Sequence, residues 1–552
     1  MLALVALSGI QGYLFDVRES GGGQARSLRH RSFRIQLTAE CIALRLLRAA
    51  EPSAGWERLL FCAAAKTCLD FSGLNGGALD AVRDAAAEIQ QALLGETHGR
   101  LRLAVAFQER SGDFAADIEK AQQKLRAEKL RSCALAAIRN GRWTDGGLVM
   151  PEAWSADRGA EVDAELGRQL LRARWMAVEV EKPGGPSPLD GWRTLGVRVR
   201  LLNDEPAPSP GLLSCSNLAR PETPPKQVQR RLFHVHHLTR HVPRGPDGEL
   251  IEFASLAARA RGAAMLGVLK ADADSLGDAV RRLPAGDGPA RLKALSNALD
   301  CFFAETLEGE MASAGSPWAN IYTVYSGGDD LLAVGPWDLI LDFAGHIQEL
   351  FTQRFGPGAA ASPSPIPLTV SAAVTIVKPK YPLHLAARQA DTLLQRAKNE
   401  CAPRASQPKD QCSALGQLWK WRDHGAIART GKQLADWVQG AGSGRAVVER
   451  GWLGTLLELA LLRGGQAGPK YAGIPPAAAT SRLAYHVERN WPRKKEDPRD
   501  DVERAGNAAR QWIEDILSEF EHLESSRRPD AVFLLAVARY AILATRPSSD
   551  KE

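Results

Sequence analysis

The sequence predicts an α+β protein in which one unit occurs twice in tandem and a helical tail follows. Three observations carry this. The order strand, helix, hairpin, strand, helix appears near the N-terminus and again after residue 250. Prolines crowd the stretch between the two copies, and residues 406–552 keep helical apolar spacing almost throughout. A chain of 552 residues also exceeds the roughly 250–300 at which a single core stops growing, so several domains are expected.

The first copy spans residues 1–135. The apolar run Leu2–Leu7 reads as a buried strand, and Glu19–Gln24 as a polar, Gly-rich loop. A helix is expected over Ser32–Ala50, a hairpin from Leu59–Ala64 and Thr67–Phe71, a strand over Leu101–Phe107 and an amphipathic helix over Phe114–Arg131. In residues 136–250, Pro183, Pro186, Pro188, Pro206, Pro208, Pro210, Pro221, Pro224 and Pro225 remove backbone donors and fix φ, so an irregular linking module is expected. The second copy, 251–405, gives a helix at Phe253–Arg261, a strand at Ala264–Ala271 and a long helix at Pro289–Leu307. The hairpin Ile321–Tyr325 and Leu331–Val334 comes next, then the helix Asp338–Phe355, the strand Leu368–Ile376 and the helix His384–Asn399. Residues 406–552 are expected to form a small helical bundle.

Composition narrows the class. Hydrophobic residues at 45% and charged residues at 24% suit a globular protein and exclude wholesale disorder. The net charge of +6 tolerates a nucleic-acid partner without requiring one. Eight cysteines form no CxxC pair, so no zinc is expected and a reducing cytoplasm suits them. The apolar stretches Trp452–Leu462 and Val532–Ala544 fall short of the roughly 20 residues that cross a bilayer, and the N-terminus lacks a basic n-region, so a cytoplasmic protein without membrane attachment is expected. The histidines of LFHVHHLTRH (His234, His236, His237 and His241) read as part of a linker helix rather than as a metal site.

The chemistry gathers in the second copy. Glycines in the turn Gly327-Gly328-Asp329-Asp330 supply positive φ and let a ligand approach the backbone. Two adjacent carboxylates there repel unless a cation sits between them, and magnesium takes such hard oxygen ligands. The apolar strand MLGVLK runs into Ala271-Asp272-Ala273-Asp274, and side-chain alternation puts Asp272 and Asp274 on one side. Beside the hairpin, Asp272, Asp329 and Asp330 would hold two metal ions about 4 Å apart, the arrangement for in-line displacement at phosphorus. Lys398 reads as a point charge within reach of a triphosphate. The matching turn of the first copy, Ala63-Ala64-Ala65-Lys66, has no carboxylates, which suggests one active copy and one structural copy.

Together LGVLKADADSLG, YSGGDDLLAV and VSAAVTIVKPKYPLHLAARQADTLLQRAKNE resemble the GGDEF/nucleotide-cyclase palm superfamily. With SGIQGYLFDV and LRHRSFRIQLTAECIA near the N-terminus, they resemble more closely the large palm-polymerase subunit of type III CRISPR effector complexes, in a version without the HD nuclease domain. The resemblance implies two ferredoxin-like palm domains in tandem, the first degenerate, and condensation of ATP into cyclic oligoadenylates when target RNA is sensed. It implies metal binding (Mg2+ or Mn2+) by Asp272, Asp329 and Asp330 with the Ala273 carbonyl. A nucleotide pocket would be lined by Ser326, Gly327 and Gly328, with Ser275, Leu276 and Lys398 on phosphates. Implied partners are CRISPR RNA, target RNA, small helical subunits and the subunit that binds the guide-RNA 5′ end. Two departures stand beside it: no HD pair is present, so no DNase activity is expected, and Cys215 stands alone where relatives carry a Cys-rich zinc element.

The basic segment with Arg26, Arg29, Arg31 and Arg34 is a candidate RNA or partner contact. Three competing readings remain at this level. The same site could join ATP to S-adenosylmethionine. A diguanylate-cyclase-like enzyme would carry Glu then Phe where this turn has Asp330 and Leu331. A non-catalytic scaffold would leave clustered acids at an energetic cost.

Overall fold

The computed structural model describes residues 1–15, 24–63, 65–97, 100–131, 169–170, 172–180, 195–237, 241–246, 248, 250–284, 286–403, 405–440, 445–464, 478–521 and 531–547. The loop expected at 19–24 and most of residues 136–194 therefore lie wholly or largely outside the described residues.

The first copy forms β1 (Leu2–Ser8), α1 (Gln24–Ala50), β2 (Leu59–Ala63), β3 (Lys66–Asp70), α2 (Gly76–Glu96), β4 (Arg102–Gln108) and α3 (Phe114–Arg131). Its sheet runs β2-β3-β1-β4. β1 lies between two antiparallel neighbours, with Leu4 opposite Cys68 on one side and Ala106 on the other. That central place explains its unbroken apolar run, because both faces are covered. One face (Leu2, Leu4, Ala6) packs with Phe114, Ile118 and Leu125 of α3.

Residues 136–250 are more regular than the prolines suggest. β5 (Trp175–Val180), β6 (Val197–Leu202) and β7 (Leu212–Asn217) make a three-stranded sheet in the order β6-β5-β7. The prolines fall outside these strands, where no ladder donor is needed.

The second copy forms β8 (Leu266–Ala273), α4 (Leu276–Arg281), α5 (Gly288–Cys301), a π-turn (Phe302–Thr306), α6 (Leu307–Ala312), β9 (Tyr322–Gly327), β10 (Asp330–Pro336), α7 (Trp337–Phe355), β11 (Val370–Val377) and α8 (Leu383–Asn399). The expected single helix at 289–307 is thus two helices joined by the π-turn. The larger sheet is six-stranded, β13-β12-β11-β8-β10-β9. Its last four strands reproduce the order of the first sheet, β9-β10-β8-β11 against β2-β3-β1-β4, so the internal repeat holds at the level of topology.

β12 (Gln411–Ala414) and β13 (Gln417–Lys420) were not expected, because the sequence places 406–420 in the helical tail. β12 instead pairs in parallel with β11, Ala372 opposite Cys412. The tail proper is α9 (Trp421–Gln439), α10 (Gly451–Arg463), α11 (Ala478–Asn490), α12 (Asp501–Glu521) and α13 (Ala531–Ala544). α13 is apolar nearly all round because α9 and α10 bury it. Its one charge, Arg539, donates to the Leu415 carbonyl in the β12–β13 turn. Among the described residues no helix is long and apolar enough to cross a membrane.

By packing, the chain divides into two compact units. One holds residues 1–252, 275–331 and 353–368; the other holds 253–274, 332–352 and 369–552.

Gly267 in β8 has a packing reason. A β-carbon there would lie 2.8 Å from Ile340 Cβ and 3.1 Å from Trp337 Cα. Gly267→Ala is therefore expected to lower stability by about 1–3 kcal/mol through overpacking, read as a drop in the urea midpoint.

Candidate active site

In the first unit, β9 and β10 close on Gly328 and Asp329. Gly327 (φ +149°) and Gly328 (φ +68°) hold backbone conformations that side chains resist, which is why the turn needs two glycines. Asp300, at the end of α5, fixes this turn. Its Oδ1 accepts the Gly328 N–H at 2.6 Å, and a β-carbon on Gly327 would come within 3.0 Å of the same oxygen. Burial pushes the Asp300 carboxyl pKa up, against the opposing pull of His237, the Gly328 N–H and His236.

Ser326, expected to line a nucleotide pocket, turns inward. It is buried, and its hydroxyl donates to the Phe303 carbonyl in the π-turn. The turn itself opens onto a cavity of about 380 Å³ within the same unit. Gly328, Asp329, Leu276 and Gly277 of the second copy line it, and so do Lys66, Arg126 and Lys129 of the first. Burial and the neighbouring Lys66 charge depress the Lys129 pKa. Lys66 opens β3 as Asp330 opens β10, so the degenerate turn presents a cation where its counterpart presents a carboxylate. Ser275 takes a left-handed conformation (φ +60°) that starts α4 and brings Leu276 to the cavity wall.

In the second unit, Asp272 is the penultimate residue of β8, half-buried opposite Ser371 of β11. Lys398 in the last turn of α8 pairs with the Asp272 carboxylate, donates to the Ala273 carbonyl at 3.2 Å and lies 3.9 Å from Asp274 Oδ1. Lys398, expected on a triphosphate, here holds the strand-end acid. Asp274 is not an equivalent of Asp272. It is fully buried and accepts from Thr369 Oγ1 (2.9 Å), Ser371 Oγ (2.9 Å) and the Asp410 N–H (3.0 Å), so it ties the end of β8 to the strand beside it.

The basic segment needs correction. The Arg26 and Arg29 side chains lie outside the described residues. Arg31 is buried, donates to the Tyr13 carbonyl at 2.9 Å and sits 5.7 Å from the centre of the Tyr13 ring. Its charge serves the fold rather than an RNA surface. Arg34 is half-buried. The histidines need correction too: His234–His237 are non-helical and buried except for Val235 between them.

Sequence reading missed Asp300, Arg126 and Lys129. Asp300 had a signal, a lone carboxylate in the otherwise apolar run Ala298-Leu299-Asp300-Cys301-Phe302-Phe303-Ala304. Nothing marked Arg126 and Lys129 apart from other charges of α3.

Residues 265–406 match the family model for the second palm domain of Cas10/Cmr2, and residues 1–137 match the model for domain B of the Csm1 subunit. The chain belongs to the Cas10/Csm1 family. A subtype III-A Cas10/Csm1 of Mycobacterium tuberculosis, named a CRISPR system single-strand-specific deoxyribonuclease, is 30% identical over 197 residues, 33% of this chain and 23% of its own length. The protein of the same name from Thermococcus onnurineus is 26% identical over 261 residues, 44% of this chain and 31% of its own length. The matched stretches thus span less than a third of either relative. Among solved structures, a Csm1–Csm4 cassette in complex with cA4 superposes with a TM-score of 0.68 at 18% identity, over 99% of this chain and 70% of that one. A Csm1–Csm4 cassette with one ATP gives 0.67 at 19% identity, over 99% and 70%. The tandem-palm fold of Cas10/Csm1 is therefore the fold of this chain.

Asp300→Ala is expected to cost about 1–3 kcal/mol, because the Gly328 N–H loses its side-chain acceptor. Asp300→Asn keeps an acceptor and should recover most of it; chemical denaturation of both variants checks this.

Proposed function

We propose that this chain is the catalytic large subunit of a type III CRISPR effector, condensing ATP into cyclic oligoadenylates when the complex engages target RNA. The observation that carries the reading is the cavity where the Gly328–Asp329 turn of the second palm faces Lys66, Arg126 and Lys129. One carboxylate, Asp329, and three cations around the same cavity suit a substrate that is both metal-chelating and polyanionic. Support comes from structures of the same fold, solved as Csm1–Csm4 cassettes with AMPPNP, with one ATP and with cA4.

The donor set fits magnesium. Asp272, Asp329, Asp330 and the Ala273 carbonyl offer only hard oxygens. Lys398 on Asp272 and Ala273 keeps a positive charge at the strand end. Bound by these oxygens, two divalent cations would acidify an attacking 3′-hydroxyl and neutralise the leaving pyrophosphate. The chain's own residues would do the rest. Gly327 and Gly328 admit the nucleotide close to the backbone, Asp300 keeps the turn in one conformation, and Lys66, Arg126 and Lys129 meet phosphate oxygens. The 3′-hydroxyl of one adenosine attacks the α-phosphorus of the next ATP; one P–O bond forms, one breaks and pyrophosphate departs. Guide RNA, target RNA, the small helical subunits and the subunit at the guide 5′ end complete the proposed assembly. The sequence holds no His-Asp dipeptide, so the relatives' deoxyribonuclease name is not extended to this chain.

The assembled complex with labelled ATP, magnesium and matching target RNA should yield adenylate oligomers, and Asp329→Ala/Asp330→Ala should abolish them. Lys66→Ala should raise the KM for ATP about tenfold, the loss of one charge-assisted contact. Products from GTP in preference to ATP, or an adenylyl conjugate formed only with S-adenosylmethionine, would replace the oligoadenylate reading.

A further inference from the structure

A second cluster of ligating side chains lies inside the first unit and takes no part in the proposed reaction. Glu40 comes from α1, and His234 and His236 come from the non-helical stretch after β7; all three are buried. Alternate residues of an extended chain face one side, so the His-x-His spacing delivers both rings to one carboxylate while His237 turns to Glu305. Glu40 Oε1 contacts His236 Nδ1 and lies 3.5 Å from His234 Nε2. The candidate donor atoms of the three residues all fall within 4.8 Å of one another. Around a tetrahedral ion with bonds of 2.0–2.1 Å, ligand atoms stand about 3.4 Å apart. Packing sets the rings: Trp56 stacks on His234 at 4.3 Å, and Phe33 meets His236 edge-on at 6.3 Å.

Two further observations point to a ligand. A cavity of about 20 Å³, room for one ion or one water, is lined by Glu40 and His236 together with Gln36, Cys62, His237 and Asp300. The Nε2 of His236 is buried without a hydrogen-bond partner. An ion bound through Nε2 would fill that position and leave the Nδ1–H to donate to Glu40, whereas a bare Glu40–His236 ion pair would leave a buried N–H with no acceptor.

We propose that Glu40, His234 and His236 bind one zinc-class divalent ion, with the small cavity as its fourth, water-filled position. Two imidazoles favour zinc over magnesium, which prefers an all-oxygen shell. One carboxylate and two neutral imidazoles leave a net positive charge of about one on the site. Asp300, on the wall of the same cavity, is the carboxylate that balances it. Asp300 also holds the Gly328 amide, so the ion would sit behind the active-site turn as structural backing. This centre is built from Glu and His and owes nothing to cysteine spacing, which is why a search for CxxC pairs predicts no zinc. It stands independently of the nucleotidyl-transfer reading.

The test is metal analysis of the full chain, purified after exposure to zinc with magnesium in excess, together with the visible spectrum of a cobalt-substituted sample. The proposal expects about one zinc per chain and the intense visible bands of four-coordinate cobalt. Both should persist in Asp329→Ala/Asp330→Ala and in His237→Ala, and zinc should fall at least tenfold in Glu40→Gln and in His236→Ala. A wild-type chain that retains less than a tenth of an equivalent of zinc and gives no cobalt bands would overturn it. So would full zinc content in both Glu40→Gln and His236→Ala. The wild-type measurements decide the matter even where a variant fails to fold.

Discussion

A single buried carboxylate sets where the acidic turn points. Asp300 reaches from α5 to the Gly328 amide and occupies the space that a side chain on Gly327 would need. Two glycines make the turn permissive, and permissive backbone is dear in entropy unless something fixes it. The Asp300 hydrogen bond does so from the buried side and leaves the other side of the turn to the cavity. In the proposed reaction the turn would present Asp329 and Asp330 already arranged, the preorganisation that electrostatic catalysis relies on.

The two palms show how a duplicated unit divides its labour. Four strands of the larger sheet repeat the order of the smaller one, and both hairpins close on a short turn. In the second palm the turn keeps glycines and acids. In the first, Ala65 takes the left-handed conformation (φ +60°) and Lys66 follows it into β3. Without such acids, the first palm supplies cations to the cavity lined by the second palm's turn. Carboxylates alone would repel a triphosphate, and cations alone would bind it without assembling a reactive centre.

Much of this was legible in the sequence where one physical signal dominated. Apolar runs bounded by Gly and Asp marked β1, β8 and the β9–β10 hairpin, because strands buried on both faces leave no room for polar residues. The repeat was visible for the same reason. Signals failed where tertiary context decided. β12 and β13 are four residues each and include Gln, Ser and Lys, so nothing local separates them from the helices that follow. Lys398 reads equally well as a phosphate ligand and as the partner of Asp272. Arg31 lies in a basic run that looks solvated, yet it is spent on the Tyr13 carbonyl and ring. His234 and His236 belong to a chain segment whose meaning depends on Glu40, nearly 200 residues away, and no local pattern announces that meeting.

The most direct test of the central claim is to see the ions rather than infer them. Crystals of the chain soaked with manganese and a non-hydrolysable ATP analogue would be measured at the manganese absorption edge. The account predicts anomalous manganese peaks at the turn carboxylates Asp329 and Asp330, with analogue phosphates toward Lys66 and Lys129. A bound analogue with no manganese at these carboxylates, or manganese and nucleotide seated away from the Gly328–Asp329 turn, would contradict it.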